Sequence, residues 1–169
     1  MPDTSLADLH SRPGFLIRRA HQISTSVFME ETAALNVTTT QYGLLYLIKH
    51  FPDIDQVSAS QMLGLDRSTA AMVLRSLEKS GMIVRSVASD KRRRALTLTG
   101  EGEAMLRNLD EPAARALSRL LSPLDPAEAA MLVYLLKKLT AAFNESARVP
   151  LMYEEAEDEA SREAKETRT

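Results

Sequence analysis

Apolar residues recur three or four positions apart over most of the chain, which is the spacing of helices that bury one face. The first such stretch runs from residue 13 to 35 and predicts one long helix, because Pro13 suits a first helical position. Residues 1–12 are polar, and we expect them to be loose. The apolar positions of the predicted helix are Leu16, Ala20, Ile23, Val27 and Ala34.

Two shorter helices are predicted next. Thr39 or Thr40 is suited to cap the first of them, and Pro52 stops it. Residues 53–65 predict the second, which Gly64 ends with a tight turn.

A third helix and a β-ribbon come after them. Asp66 is suited to cap a helix over residues 67–79, and Gly81 stands where helices commonly end. Two short stretches of alternating apolar residues then predict strands, which the loop 88–94 joins as an antiparallel ribbon. The apolar strand residues are Met82, Val84 and Val87 in the first strand and Leu96 and Leu98 in the second.

The C-terminal third is helical by the same criterion. A new helix opens at residues 100–103, and after a break Asp125 caps the last clear helix at Pro126. Pro150 is expected to interrupt that helix. Beyond Tyr153 the chain is acidic and poor in large apolar residues, so it either continues as a solvated helix or frays.

Composition excludes several classes of function. The 169 residues favour one domain, and 44% apolar residues are sufficient for a packed core. There is no cysteine, no secretion signal at residues 1–11 and no apolar stretch of bilayer length, so we expect a cytoplasmic protein without membrane contact. No histidine pair has ligand spacing, and no catalytic triad order or phosphate loop occurs. We therefore expect no metal, no cofactor and no enzymatic activity.

The net charge of −2 hides a strong asymmetry along the chain. Residues 66–94 contain eight basic and three acidic side chains, a local charge of +5. Residues 151–169 contain seven acidic and three basic side chains, a local charge of −4. A locally basic surface is what binding to DNA phosphates requires, so the charge pattern favours a DNA-binding centre with an acidic tail.

Four consecutive elements together indicate a winged helix-turn-helix: a helix, a glycine turn, a second helix with a polar start, and a basic ribbon. In such units the second helix enters the major groove of DNA, where Arg bonds guanine and Ser or Thr bonds bases or phosphates. The alternative is an ordinary solvated helix start. The candidate DNA-binding residues on this helix are Arg67, Ser68, Thr69, Met72 and Arg75.

The predicted ribbon carries a second candidate DNA contact. Asp90, Lys91, Arg92, Arg93 and Arg94 place four cations beside one carboxylate at a tight turn. The narrow minor groove has a strongly negative potential that attracts an inserted arginine. The alternative is a solvated hairpin tip.

Three runs of sequence together resemble the MarR (multiple antibiotic resistance regulator) family: residues 65–71, 77–83 and 89–99. The resemblance extends over roughly residues 13–143. It implies a mainly α fold with a small β-ribbon, in which a winged helix-turn-helix is flanked by dimerisation helices at both ends. The implied boundaries are 39–99 for the DNA-binding lobe, 13–35 and 100–150 for the dimerisation helices, and 151–169 for the acidic tail.

The resemblance also assigns roles in the wing. An Asp-x-Arg element marks the wing in this family, and Asp90 and Arg92 match it. By resemblance Arg92 is the minor-groove finger and Asp90 orients the wing arginines by ion pairing. Arg93 or Arg94 could share the groove role, because three consecutive arginines blur the register.

By the same resemblance the chain is expected to be a homodimer, and a repressor by the usual mode of the family. Two recognition helices one DNA turn apart imply a near-palindromic operator on double-stranded DNA. One alternative is that the terminal helices pack within a single chain. Another is a winged-helix module that binds protein and not DNA.

Many family members release DNA when a small aromatic acid binds. Residues 12–22 resemble the first helix of members that sense aromatic carboxylates or their coenzyme A thioesters. A small aromatic effector is therefore expected, with a cation for its carboxylate and rings for its apolar part. The candidate ligand residues are Arg18, Arg19, His21, Tyr42 and Tyr46. The alternative places the arginines on the surface or at the dimer interface and the tyrosines in the core.

Overall fold

The computed structural model describes residues 6–87 and 94–152 of the chain. No helix in these two ranges is long and apolar enough to cross a membrane. The described elements, in chain order, are α1 (Leu6–Ser11), α2 (Pro13–Glu31), α3 (Thr39–His50), α4 (Gln56–Met62), α5 (Arg67–Lys79), β1 (Ile83–Val87), β2 (Arg94–Leu98), α6 (Gly100–Leu121) and α7 (Pro126–Ala142).

The N-terminal prediction is wrong in two places. Part of the segment expected to be loose forms α1, and Arg12, which directly follows it, donates to the Asp8 carboxylate at 2.7 Å. The long helix predicted to reach residue 35 ends at Glu31 and gives way to a short 3-10 turn. Asn36 ends this turn in the left-handed conformation, with φ of 50°, which asparagine tolerates better than most residues.

The starts of α3 and α4 also differ from prediction. The cap of α3 is Thr38, not Thr39 or Thr40, because Thr38 and Gln41 exchange side-chain and backbone hydrogen bonds in a capping box. The cap of α4 is Asp55, so this helix begins three residues later than the predicted position 53.

The end of α7 is a further correction. This helix stops at Ala142, well before Pro150, and the next residues turn back toward α4. The side-chain amide of Asn144 forms hydrogen bonds with the backbone carbonyl and the backbone N–H of Leu151, so the two ends of the segment between these residues are held together.

The centre of the chain matches its prediction closely. The helix α5 has the predicted bounds, with Asp66 as its cap. Gly64 and Gly81 both have positive φ, +63° and +75°, so each occupies a turn that L residues rarely adopt. The two strands pair antiparallel, with Ile83 opposite Leu98.

The residues just before α4 pair with β2 at the edge of this two-stranded sheet. The backbone N–H of Leu96 donates to the carbonyl of Ile54 at 2.8 Å, and Asp55 pairs with Ala95 as an isolated antiparallel bridge. The sheet therefore fixes the start of α4 relative to the ribbon. The core packs between this sheet and the helices α3, α5 and α6. Its most deeply buried large side chains include Leu44, Leu45, Leu74, Leu77, Ile83, Leu96 and Leu109.

Candidate nucleic-acid interface

The two helices α4 and α5 are held in a fixed relation by the turn between them. Gly64 makes the turn in the left-handed region, and the N–H of Leu65 donates to the carbonyl of Ser60 at 2.8 Å. The inner face of α5 then buries Ala70, Leu74 and Leu77 in the core. This geometry is a helix-turn-helix with α5 as the second helix.

The outer face of α5 is open to solvent. Ser68, Met72 and Arg75 lie one turn apart on one stripe of the helix and are all exposed, Met72 to 59%. Arg67 is also exposed, at the first position of α5. Four of the five candidate residues on this helix are therefore exposed on the side where a groove of DNA would lie.

The hydroxyl groups at the start of α5 have partners within the chain. Asp66 accepts hydrogen bonds from the hydroxyls of Ser68 and Thr69, the latter at 2.8 Å, and from the Thr69 backbone N–H at 2.9 Å. These bonds, led by that of Ser68, lower the pKa of Asp66 from its ordinary value of 3.8. Thr69 is only half-exposed, so it serves the cap in this structure.

The base of the wing is tied to both helices by Arg85. Its Nε donates to the Glu78 carboxylate at 3.1 Å, and its Nη1 donates to the Gln56 side-chain oxygen at 3.0 Å. Arg94 begins β2 and is exposed. The remaining wing residues singled out in the sequence, Asp90 to Arg93, lie outside the described residues.

The sequence assigns no role to two basic residues on this side of the molecule. Arg85 belongs to the basic run of residues 66–94, but nothing in the sequence predicts its bonds to Glu78 and Gln56. Arg148 comes from the segment after α7, and its charge contributes to the lowered pKa of Asp66 after the larger effects of the hydrogen bonds. Only the return of the chain toward α5 brings Arg148 there, and no sequence pattern signals such a return.

A cleft of about 450 Å³ opens between α2, α3 and α6. Tyr42 lines it, and the pKa of the Tyr42 hydroxyl is raised, first by burial and then by the charge of Asp110. No Lys, Arg or His is among its lining residues in the described part of the chain. These residues are Ser24, Phe28, Thr39, Tyr42, Asp110, Ala113, Ala114, Ala116, Leu117 and Leu120.

The other candidate ligand residues lie outside this cleft. Tyr46 is 49% exposed and its ring lies between those of Tyr42, at 6.3 Å, and His50, at 4.3 Å. Arg19 and His21 line a shallow surface depression on α2, and Arg18 lies over the Phe15 ring at 5.2 Å. One chain therefore does not bring the predicted cations together with the predicted rings.

The described residues hold no cluster of three or more His, Cys, Asp or Glu suited to a metal ion. The side chains of this surface are arginines, hydroxyl groups and exposed apolar groups, which are suited to contacts with bases and phosphates.

Comparison with known proteins agrees with this geometry. The model of the MarR family matches residues 35–94, the segment from the turn before α3 to the start of β2. A protein of Thauera aromatica named for transcriptional regulation of the hcr operon is 31% identical over 128 residues, which cover 75% of this chain and 77% of the relative. This chain belongs to the MarR family. MarR proteins are transcriptional regulators and not enzymes, which confirms the expectation from sequence.

Two solved MarR-type proteins have the same fold. The repressor CouR, bound to a 23-mer DNA duplex, superposes with a TM-score of 0.75 at 27% identity, covering 80% of this chain and 97% of CouR. CouR bound to p-coumaroyl-CoA also gives 0.75, at 25% identity, covering 82% and 98%. PcaV of Streptomyces coelicolor, in complex with its natural ligand, gives 0.72 at 31% identity, covering 84% and 99%. The predicted fold class is confirmed.

Proposed function

We propose that this MarR-family regulator is a repressor that binds a near-palindromic operator as a homodimer and leaves it when a small aromatic ligand binds. The observation that carries the proposal is the exposed outer face of α5 beside a wing whose base bears Arg85 and Arg94. A basic surface around a protruding helix is suited to the DNA major groove.

In this proposal α5 lies in the major groove. Arg67 and Arg75 contact base edges or phosphates, and Met72 contacts the apolar surface of the bases. Ser68 supplies a hydroxyl that exchanges its bond to Asp66 for one to DNA. Thr69 has the smaller role of holding the cap.

The wing is proposed to lie along the adjacent minor groove. Arg92 enters the groove, Asp90 orients the neighbouring guanidinium groups, and Lys91, Arg93 and Arg94 neutralise phosphates. The support is the charge of the run in the sequence and the exposed position of Arg94 at its end.

A dimer is proposed because α7 has no buried residue although it is rich in apolar ones. An apolar patch of this extent is unusual for a monomer and marks an interface. The helices α1 and α2 add exposed Leu6, Leu9, Leu16, Ile17 and Ile23. The exposed apolar residues of α7 and its end are Met131, Leu132, Val133, Tyr134, Leu135, Leu136, Leu139 and Phe143.

Selection from a random duplex library tests the operator and the dimer together. We expect the bound sequences to contain two inverted half-sites whose centres lie about 10 bp apart, as for other two-fold helix-turn-helix dimers. A single unrepeated half-site would contradict the homodimer, and the absence of any enriched sequence would favour the protein-binding alternative.

The ligand is proposed to enter the cleft beside Tyr42. Its apolar lining suits an aromatic ring, whereas Asp110 and the lack of a cation among the lining residues that the structure describes do not suit a free carboxylate. In a thioester a neutral carbonyl group stands in place of the negatively charged carboxylate of the free acid. Arg18, Arg19 and His21 are exposed on α2 and supply hydrogen-bond donors for the phosphates of the coenzyme A group. We therefore favour the coenzyme A thioester over the free acid.

Release of a labelled operator duplex by matched pairs of aromatic acids and their thioesters tests this assignment. We expect a thioester to release DNA at lower concentration than its free acid. Asp110→Asn is expected to narrow that difference by improving the binding of the acid. The control Glu111→Gln, which removes the same charge one residue away and outside the cleft lining, is expected to leave the difference unchanged. Release by free acids alone would contradict the thioester assignment.

A further inference from the structure

The segment after α7, residues 143–152, forms a strap that returns to the helix-turn-helix. Asn144 closes it: the side-chain amide donates to the Leu151 carbonyl at 3.1 Å, and its oxygen accepts from the Leu151 N–H at 2.8 Å. The N–H of Met152 donates to the carbonyl of Gln61 on α4 at 3.3 Å. The strap is thereby closed on itself and bonded to α4 at its C-terminal end.

The strap packs on the turn that precedes the recognition helix. A Cβ built on Gly64 would meet the Leu151 side chain at 3.2 Å, so the absence of a side chain at Gly64 makes room for this contact. Arg148 of the strap is close enough to Asp66 that its charge helps to lower the pKa of that carboxyl, after the Ser68 and Thr69 hydrogen bonds. The strap therefore lies beside the start of α5.

The last described residue of the strap lies at the base of the wing. Met152 lines one surface cleft together with Gln56, Arg85 and Arg94. Arg85 and Arg94 belong to β1 and β2, the two strands of the ribbon. The chain beyond Met152 therefore starts at the edge of the proposed DNA-binding surface.

The acidic tail, residues 153–169, begins at this point. It has seven acidic and three basic side chains, and five of the acids fall within residues 154–159. Since one residue spans at most about 3.6 Å, the Cα of Glu159 lies within about 25 Å of that of Met152 in any conformation. A dense group of carboxylates is thus tethered within reach of Arg85, Arg94 and Arg148.

We propose that the acidic tail binds the basic face of its own helix-turn-helix and competes there with DNA phosphates. The inference rests on the proposed function, because it takes this face to be the DNA-binding surface. Carboxylates and phosphates both accept charge-assisted hydrogen bonds from guanidinium groups, so the same arginines serve either partner. The strap keeps the tail at this face, which makes the competition intramolecular.

The expected size of the effect is set by tethering. A short tether gives the tail an effective concentration on the order of mM at the basic face. When the Kd of the tail for this face equals that concentration or lies up to about tenfold below it, the apparent Kd for DNA rises about two- to tenfold. Because both interactions are electrostatic, the difference is expected to be largest at low salt and to shrink as salt rises.

Three altered chains test the proposal. Their affinity for a labelled 30-bp duplex from the operator selection is measured at 50 mM salt and at higher salt concentrations. One chain ends at Met152. A second keeps all 17 tail residues but replaces four of the acids, Glu154, Glu155, Glu157 and Glu159, by Gln, so that three acids and three bases leave the tail without net charge. The third, Asn144→Ala, loosens the strap and keeps the charges. Thermal unfolding confirms that each variant is folded.

We expect the truncated and the neutral-tail chains to bind the duplex about two- to tenfold more tightly than the natural chain at 50 mM salt. Asn144→Ala is expected to give a smaller gain, since the tail is then less closely held. A peptide of residues 153–169, added at mM concentration, is expected to weaken DNA binding by the truncated chain.

Equal affinity of all tail variants, alongside steeply salt-dependent DNA binding by the natural chain, would overturn this inference and leave the proposed function standing. Tighter DNA binding by the truncated chain but not by the neutral-tail chain would also overturn it, because the bulk of the tail and not its charge would then weaken DNA binding. If truncation increases the affinity for DNA and Asn144→Ala leaves it unchanged, the proposed role of the strap is refuted. If the natural chain binds no duplex, the proposed function and this inference both fail.

Discussion

The carboxylate of Asp66 accepts a hydrogen bond from the backbone N–H of Thr69 at 2.9 Å, which caps the helix proposed to enter the major groove. Replacing Asp66 by Ala leaves the first N–H groups of α5 without this acceptor. We expect the melting temperature to fall by roughly 2–6 °C, whereas Asp66→Asn, which also caps helices well, loses less. Equal melting temperatures for the natural chain and Asp66→Ala would contradict the role of the cap.

The same carboxylate gives a pH dependence. Hydrogen bonds from Ser68 and Thr69, with a smaller effect from the charge of Arg148, hold the pKa of Asp66 below its ordinary value of 3.8 in the folded chain. A lowered folded-state pKa stabilises the protein above pH 3.8, and this contribution is lost as the pH falls further. We expect the difference in unfolding free energy between the natural chain and Asp66→Asn to narrow below that pH. Urea titrations from pH 6 to pH 3 measure it, and a constant difference would contradict the assignment.

Arg67→Ala is expected to weaken operator binding by about 1–3 kcal/mol and to relax base preference at one position of each half-site, if its guanidinium contacts a base. The matched control is Arg107→Ala, which removes an exposed arginine of α6 outside the proposed surface. Binding to an operator set with single base changes distinguishes the two. A uniform loss over all sequences would assign Arg67 to a phosphate instead.

Leu135→Lys tests the dimer. The Leu135 side chain is 52% exposed on α7, and a charge there is expected to disfavour burial against a second chain. Val84→Lys, at a similarly exposed apolar position on β1, serves as the control. Sedimentation equilibrium is expected to show a shift toward monomer only for Leu135→Lys. A monomeric natural chain, or a dimer that Leu135→Lys leaves intact, would contradict the proposed interface.

The sequence predicted best where local chemistry decides structure. Asp66, Gly64 and Gly81 each have a strong preference for a cap or a positive-φ turn, and α5 has the predicted bounds. At the other end of the chain, α7 stops at Ala142, and Asn144 beyond it pairs with Leu151. That contact depends on how the chain returns, so helical periodicity did not reveal it.

The candidate sites differ in the same way: the site on α5 follows from local sequence, whereas the cleft depends on how distant segments pack. The exposed stripe of α5 was predictable from its 3.6-residue period, and the structure places its members as that period requires. The cleft beside Tyr42 depends on the packing of α2, α3 and α6, so the sequence identified Tyr42 but not Asp110. Arg18 and Arg19 were grouped with the tyrosines by resemblance, and the single chain keeps them apart.

The most direct test of the DNA-binding account is the affinity of the natural chain for its selected duplex over a salt series. The basic surface of α5 and the wing predicts a linear fall of log K with log salt. For six or more phosphate contacts the loss is roughly 10³-fold or greater between 50 and 200 mM salt. A flat salt response, or no binding to any duplex, would contradict the account.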